Sequence, residues 1–80
     1  MNISVEISYF PLIENFDTPV LEFLATLKQN SNIEIVVGKM SSTITGDYNE
    51  VMKIMHSSIY KVMENYPSIF TLKLSNIHSV

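Results

Sequence analysis

Gly38-Lys39-Met40-Ser41-Ser42-Thr43-Ile44-Thr45-Gly46-Asp47-Tyr48-Asn49-Glu50-Val51-Met52 holds a strand, a turn and the start of a helix in one run. In Ser42-Thr43-Ile44-Thr45 the side chains alternate, so Ile44 faces one side of a sheet while Thr43 and Thr45 face the other. Gly46 is expected to let the backbone turn sharply. Asp47 and Glu50 have the spacing of a capping box, in which the first carboxylate accepts from an orphan amide and the second reaches back. The run is therefore expected to bring two hydroxyls, a carboxylate and the positive end of a helix close together.

Upstream, Ile3, Val5, Ile7 and Tyr9 alternate with Asn2, Ser4, Glu6 and Ser8, the period of a half-buried strand. Phe10-Pro11-Leu12 breaks that pattern. Thr18-Pro19 reads as N-cap and first helical residue, followed by an inward stripe of Val20, Leu21, Leu24, Leu27 and Phe23 that ends at Asn30-Ser31-Asn32. Ile33-Glu34-Ile35-Val36-Val37 is a second strand, with Ile33, Ile35 and Val37 on one side. Downstream, Val51, Met55, Ile59, Val62 and Tyr66 recur at turn spacing in a helix from Tyr48 to Asn65, widened by Met52 and Met63. Tyr66-Pro67 stops it, because a residue before proline is pushed out of the helical region. In the last strand, Ser68 to Ser75, Phe70, Leu72 and Leu74 point inward and Thr71, Lys73 and Ser75 outward; Asn76 to Val80 is a tail.

The order strand, helix, strand, strand, helix, strand implies an α+β fold. The economical packing is a ferredoxin-like βαββαβ sandwich, a four-stranded antiparallel sheet with two helices on one face and the first and third strands central. The uncovered face would carry Ser4, Glu6, Ser8, Thr43, Thr45, Thr71 and Lys73, a floor of hydroxyls with one acid and one base near its centre. Glu6 and Lys73 are candidates for a cross-strand pair.

Eighty residues make a single domain, 1–80, and 46% apolar residues supply its core. Such a small domain with so much apolar surface is expected to self-associate. Five basic against eight acidic residues argue against nucleic acid or anionic lipid as partner. No apolar run approaches the ~20 residues needed to cross a bilayer, and the alternating start is unlike a signal peptide, so a cytoplasmic domain is expected. Without cysteine there is no thiolate metal site, and no His/Asp/Glu cluster has ligand spacing. His56, mid-helix, and His78, in the tail, are not poised beside a serine of the floor, and two glycines cannot make a phosphate loop. No catalytic residue is assigned. Binding of a small ligand remains. A heteroaromatic amine would use Glu6 or Asp47 to accept from its amino group, Ser42 and Thr43 to meet ring nitrogens, and Tyr9, Phe10 or Tyr48 to stack. Beside this stand plainer roles: Asp47 as a helix cap, the hydroxyls as a solvated sheet face, and Met40, Met52, Met55 and Met63 as core filler.

Ile3-Ser4-Val5-Glu6-Ile7-Ser8 with Pro11-Leu12, the run Met40 to Met52, and Phe70-Thr71-Leu72-Lys73-Leu74 together resemble the YkoF-related thiamine-binding protein family over about Ile3 to Ser75. The string Thr43-x-x-Gly46-Asp47-x-x-Glu50-Val51-Met52 is the most specific part. The resemblance implies a ferredoxin-like domain that binds thiamine or its hydroxymethylpyrimidine moiety without catalysis and without a cofactor. It also implies assembly into dimers or tetramers through sheets and a role in thiamine precursor salvage or transport. Ser42 and Thr43 match the small polar pair before the glycine and Asp47 the acid after it. Glu6 and Ser8 join the candidate ligand set from the sheet face. The alternative is a homo-oligomeric interaction module that uses the open sheet face and takes no small molecule.

Overall fold

A computed structural model describes residues 1–29, 32–39 and 41–77. Its elements are β1 (Asn2–Pro11), α1 (Asp17–Leu27), β2 (Glu34–Val37), β3 (Ser42–Asp47), α2 (Tyr48–Asn65) and β4 (Ser68–Ser75). The strands form one antiparallel sheet in the order β2-β3-β1-β4, so β1 and β3 are central and the arrangement is ferredoxin-like. Met40, His78 and the last two residues of the tail lie outside the described residues, as do Asn30 and Ser31 of the expected helix end.

Alternation settles which face is which. Val5 pairs with Ile44 and Leu74, and Ile7 with Ser42 and Leu72, all on the side of the helices. Glu6 pairs with Thr43 and Lys73, Ser4 with Thr45 and Ser75, and Ser8 with Thr71, all on the open side. The core gathers Ile3, Val5, Ile7 and Ile44 from the sheet, Phe23 and Leu27 from α1, and Val51, Met55 and Val62 from α2. Burial of such side chains stabilises by about 1.5–3 kcal/mol each relative to exposure.

α2 has the expected ends. The Asp47 carboxylate accepts from the Asn49 N–H through Oδ2 at 3.1 Å, and Tyr66 leaves the helix with φ −142° and ψ 140° before Pro67. The start of α1 differs from expectation. Its cap residue is Phe16, no side chain caps it, and Pro19 is buried within the first turn. Proline fits anywhere in a first turn because none of those amides has an intrahelical acceptor, so it does not mark the starting residue. Thr18 instead accepts from the Asn15 side-chain amide at 3.4 Å.

Four further expectations are corrected. Pro11 does not end β1 early; it pairs with Ser68 as the strand's last residue, where a missing donor is tolerated. Leu21 is not inward but 66% exposed, because Pro19, Phe23 and Leu27 occupy the buried line of α1. Leu72 and Leu74 lie on the helix side yet are 44% and 53% exposed, since α2 packs on β3 and β1 and leaves the edge strand uncovered. Gly46 has no left-handed φ. It is needed for room: a Cβ there would lie 3.2 Å from Ile33 Cγ2 and 3.4 Å from both Val51 Cγ2 and the Asn32 carbonyl oxygen.

Candidate functional site

At the end of the sheet where β1 finishes and β3 begins, the first half of α1 stands away from the strands and leaves a cleft of about 610 Å³. Its floor is Ile7, Tyr9, Val37 and Ser42, and its wall is Phe16, Val20, Leu21, Phe23 and Leu24. Phe10 and Pro11 close one side, and Asp17, Lys39 and Ser41 stand among the lining residues with polar groups. The volume is that of a ligand site, and the lining has the usual form, mostly apolar with a few placed polar groups.

The floor is held stiffly. Tyr9 stacks on Phe70 with centroids 4.3 Å apart and planes 11° apart, and meets Phe23 edge-on at 5.5 Å. Its hydroxyl is paired with Ser68 Oγ at 3.0 Å, and the Ser68 hydroxyl lies 3.0 Å from the Tyr66 carbonyl oxygen. Each aromatic pair contributes about 0.5–1.5 kcal/mol beyond its buried area, so Tyr9 is a fixed surface of the cleft. At Tyr66, hydrogen bonding toward the Glu22 carboxylate, then desolvation, then the charge of Glu22 hold the phenol above its ordinary value.

The structure divides the candidate ligand residues among three places. Glu6, Ser8 and Thr43 share the open face. Thr43, Glu6 and Lys73 form one row across three strands, with cross-strand neighbours about 4.5–5.5 Å apart at Cβ. Ser42 is on the opposite face, buried and lining the cleft. Asp47 ends β3, five residues and about 17 Å from Ser42. There its Oδ2 caps α2 and its Oδ1 lies 3.8 Å from the Met1 α-amino group. The expected cluster of two hydroxyls, a carboxylate and a helix start is thus not one site, because successive side chains of a strand point to opposite faces. Of the proposed stacking residues, Tyr9 and Phe10 line the cleft and Tyr48 is at the far end with Asp47.

No protein-family model and no curated protein sequence matches the chain. Solved structures do match. A Streptococcus pneumoniae protein superposes with a TM-score of 0.87 at 18% identity, over 100% of this chain and 90% of its own. A Thermotoga maritima protein that bears the provisional designation of a thiamine biosynthesis/salvage protein superposes with a TM-score of 0.84 at 14% identity, over 96% of this chain and 85% of its own. A Bacillus cereus domain of unknown function, DUF77, gives 0.76 at 16% identity over 96% and 77%. These are likenesses of fold.

Sequence reading missed Asp17, Lys39 and Ser41 as site residues and the α1 wall as a site boundary. A signal for Ser42 was present: it shares strand phase with Ile44, so it is a polar residue where the pattern calls for an apolar one. Among the described residues no group of three or more His, Asp or Glu could hold a metal ion, and no helix is long and apolar enough to cross a membrane.

Proposed function

We propose that this protein binds thiamine or its hydroxymethylpyrimidine moiety, without chemically changing it, in the cleft between α1 and the sheet. The observation that carries the reading is the cleft itself: an apolar slot of about 610 Å³ whose floor is a rigid tyrosine beside a buried serine. A flat heterocycle suits apolar walls with one hydrogen-bonding group on the floor. The fold shared with a Thermotoga maritima protein provisionally designated for thiamine biosynthesis or salvage agrees with this ligand class. In this reading the protein is not an enzyme and holds no cofactor, and its role is salvage or transport of a thiamine precursor in the cytoplasm. Glu6, Ser8, Thr43 and Asp47 lie outside the ligand's reach, and Ser42 remains from the candidate set.

Titration calorimetry with thiamine and with hydroxymethylpyrimidine tests it. Heat with a Kd of millimolar or tighter, about 4 kcal/mol or more of binding free energy, is the expected result. Absence of heat with both removes the reading.

A second reading has its own support. The open face is uncovered, and Val36 and Ile69 stand exposed on it among its hydroxyls. β4 is an eight-residue edge strand, the kind of edge that pairs with another chain. On this reading the protein is a homo-oligomeric module, a dimer or tetramer, and native mass spectrometry that returns only monomer discards it.

A further inference from the structure

On the flank of α1 turned away from the cleft, Glu22, Ala25, Thr26 and Gln29 recur at the i, i+3, i+4, i+7 spacing that puts side chains on one helical face. Gln29 lies just past α1, but its N–H reaches the Thr26 carbonyl at 3.4 Å and prolongs the turn. Together with Lys61, Val62 and Asn65 of α2, this face lines a groove of about 270 Å³ that shares no lining residue with the cleft. The two differ in character. The cleft is mostly apolar, whereas here Ala25 and Val62 are the apolar members and Glu22, Thr26, Gln29, Lys61 and Asn65 can all form hydrogen bonds.

The groove has an acceptor end and a donor end. β1 and β3 are antiparallel and each helix turns back from the end of its strand, so α1 and α2 run in opposite directions. Tyr66, just past α2, interacts with the Glu22 carboxylate, which places the end of α2 beside Glu22. Asn65 is therefore at the Glu22 end, and Lys61, about 6 Å back along α2, is at the end of Thr26 and Gln29. The Asn65 Nδ2 donates to the Lys61 carbonyl at 3.1 Å, leaving Oδ1 to accept. A carboxylate has about four acceptor sites, more than Tyr66 uses. The Thr26 hydroxyl is engaged, donating to the Phe23 carbonyl at 2.6 Å. Among the described residues neither Glu22 nor Lys61 is in an ion pair, with each other or with anything else. An acid and a base thus face one groove, over the buried Val62, without closing on each other.

We propose that this groove between α1 and α2 is a second binding site, for a small zwitterion: an α-amino acid with a short side chain. The ammonium group of the guest donates to the Glu22 carboxylate and to Asn65 Oδ1. Its carboxylate accepts from the Lys61 ammonium group and from the side-chain amide of Gln29, and its side chain rests on Val62. Hydrogen bonds of this kind, with a charge on both partners, are stronger than neutral ones. A guest with both charges engages both ends of the groove, while a guest with one leaves the opposite end to water. Because Glu22 and Lys61 are exposed, binding is modest and weakens as salt is added. This goes beyond the proposed function and rests on no part of it.

The test titrates L-alanine, isobutyrate and L-alaninamide into the full chain at neutral pH and follows amide chemical shifts by NMR. The three have nearly the same outline, but isobutyrate lacks the positive charge and alaninamide the negative one. L-Alanine is expected to shift Ala25, Thr26, Val62 and Asn65 and to bind about fivefold more tightly than either analogue, the worth of one exposed charge-assisted hydrogen bond. In Lys61→Gln its advantage over alaninamide is expected to fall to about one, and in Glu22→Gln its advantage over isobutyrate. Both positions are exposed, so both variants keep the fold. The inference is overturned if L-alanine moves none of these amides, if it moves those of the cleft instead, if either analogue binds as well, or if the variants keep the wild-type order. None of these results involves thiamine or the cleft, so failure of the calorimetry removes the proposed ligand of the cleft, whereas failure here removes the groove as a site.

Discussion

Replacing Gly46 by alanine sets two opposing effects against each other. Because Gly46 has no left-handed φ, alanine fits its backbone, and the reduced freedom of the unfolded chain alone would stabilise by about 0.4–1 kcal/mol. Against this, the new methyl group would sit 3.2 Å from Ile33 Cγ2, 3.4 Å from Val51 Cγ2 and 3.4 Å from the Asn32 carbonyl oxygen. Val51 is fully buried in α2, so giving way to one neighbour presses the methyl toward another. Overpacking of this kind costs about 1–3 kcal/mol. The steric cost is the larger, and Gly46→Ala is expected to lose about 1 kcal/mol net. With a urea slope of ~1 kcal/mol per molar for so small a domain, the midpoint falls by about 1 M with the slope unchanged. An unchanged or raised midpoint would refute the reasoning, and would mean that Gly46 gives the turn nothing that alanine cannot.

Asp47→Ala, which removes the cap of α2, is expected to cost about 1 kcal/mol in urea unfolding, while Asp47→Asn stays close to the wild type because asparagine caps equally well; equal loss in both would point to charge instead. The Tyr66 phenol, held protonated by Glu22, is expected to ionise above the ordinary phenol range in an ultraviolet titration, and Glu22→Gln to lower its pKa. Its folded pKa lies above its unfolded one, so the associated stability is present below the unfolded value and is lost as pH rises through the folded value. Alkaline unfolding of Glu22→Gln should therefore show less of this loss than the wild type. Glu6→Gln and Thr43→Val, both on the open face, are expected to leave calorimetric titrations with thiamine or hydroxymethylpyrimidine unchanged, and a loss of heat in either would move the site to that face.

Where a structural feature has a local cause, its sequence shows it. β1 and β3 alternate cleanly because one face of each meets helices and the other meets water. α2 is bounded by Asp47 and Pro67, each of which acts within a turn of its own position. The start of α1 is not marked in this way, since Pro19 is compatible with several starts and Phe16 carries no capping oxygen. Leu72 and Leu74 keep the correct phase but not the expected burial, because whether a helix reaches an edge strand depends on how it docks. The cleft is harder still to read. Its lining is shared by the first half of α1, the end of β1, and Val37, Gly38, Lys39, Ser41 and Ser42, and no single segment records it. The apparent cluster of Ser42, Thr43 and Asp47 is close along the chain, but the pleat separates the first two and the strand's length separates the third.

The start of β1 and the end of β4 are neighbours, with Ser4 opposite Ser75, and both lie at the rim of the sheet away from the cleft. Fluorescent proteins joined at the start of β1 and the end of β4 would sit side by side at that rim. Any tightening of the sheet when the slot fills could then be followed as a change in energy transfer. The same adjacency lets a short linker bridge the start of β1 and the end of β4, so that the chain could be reopened elsewhere with its strand order preserved.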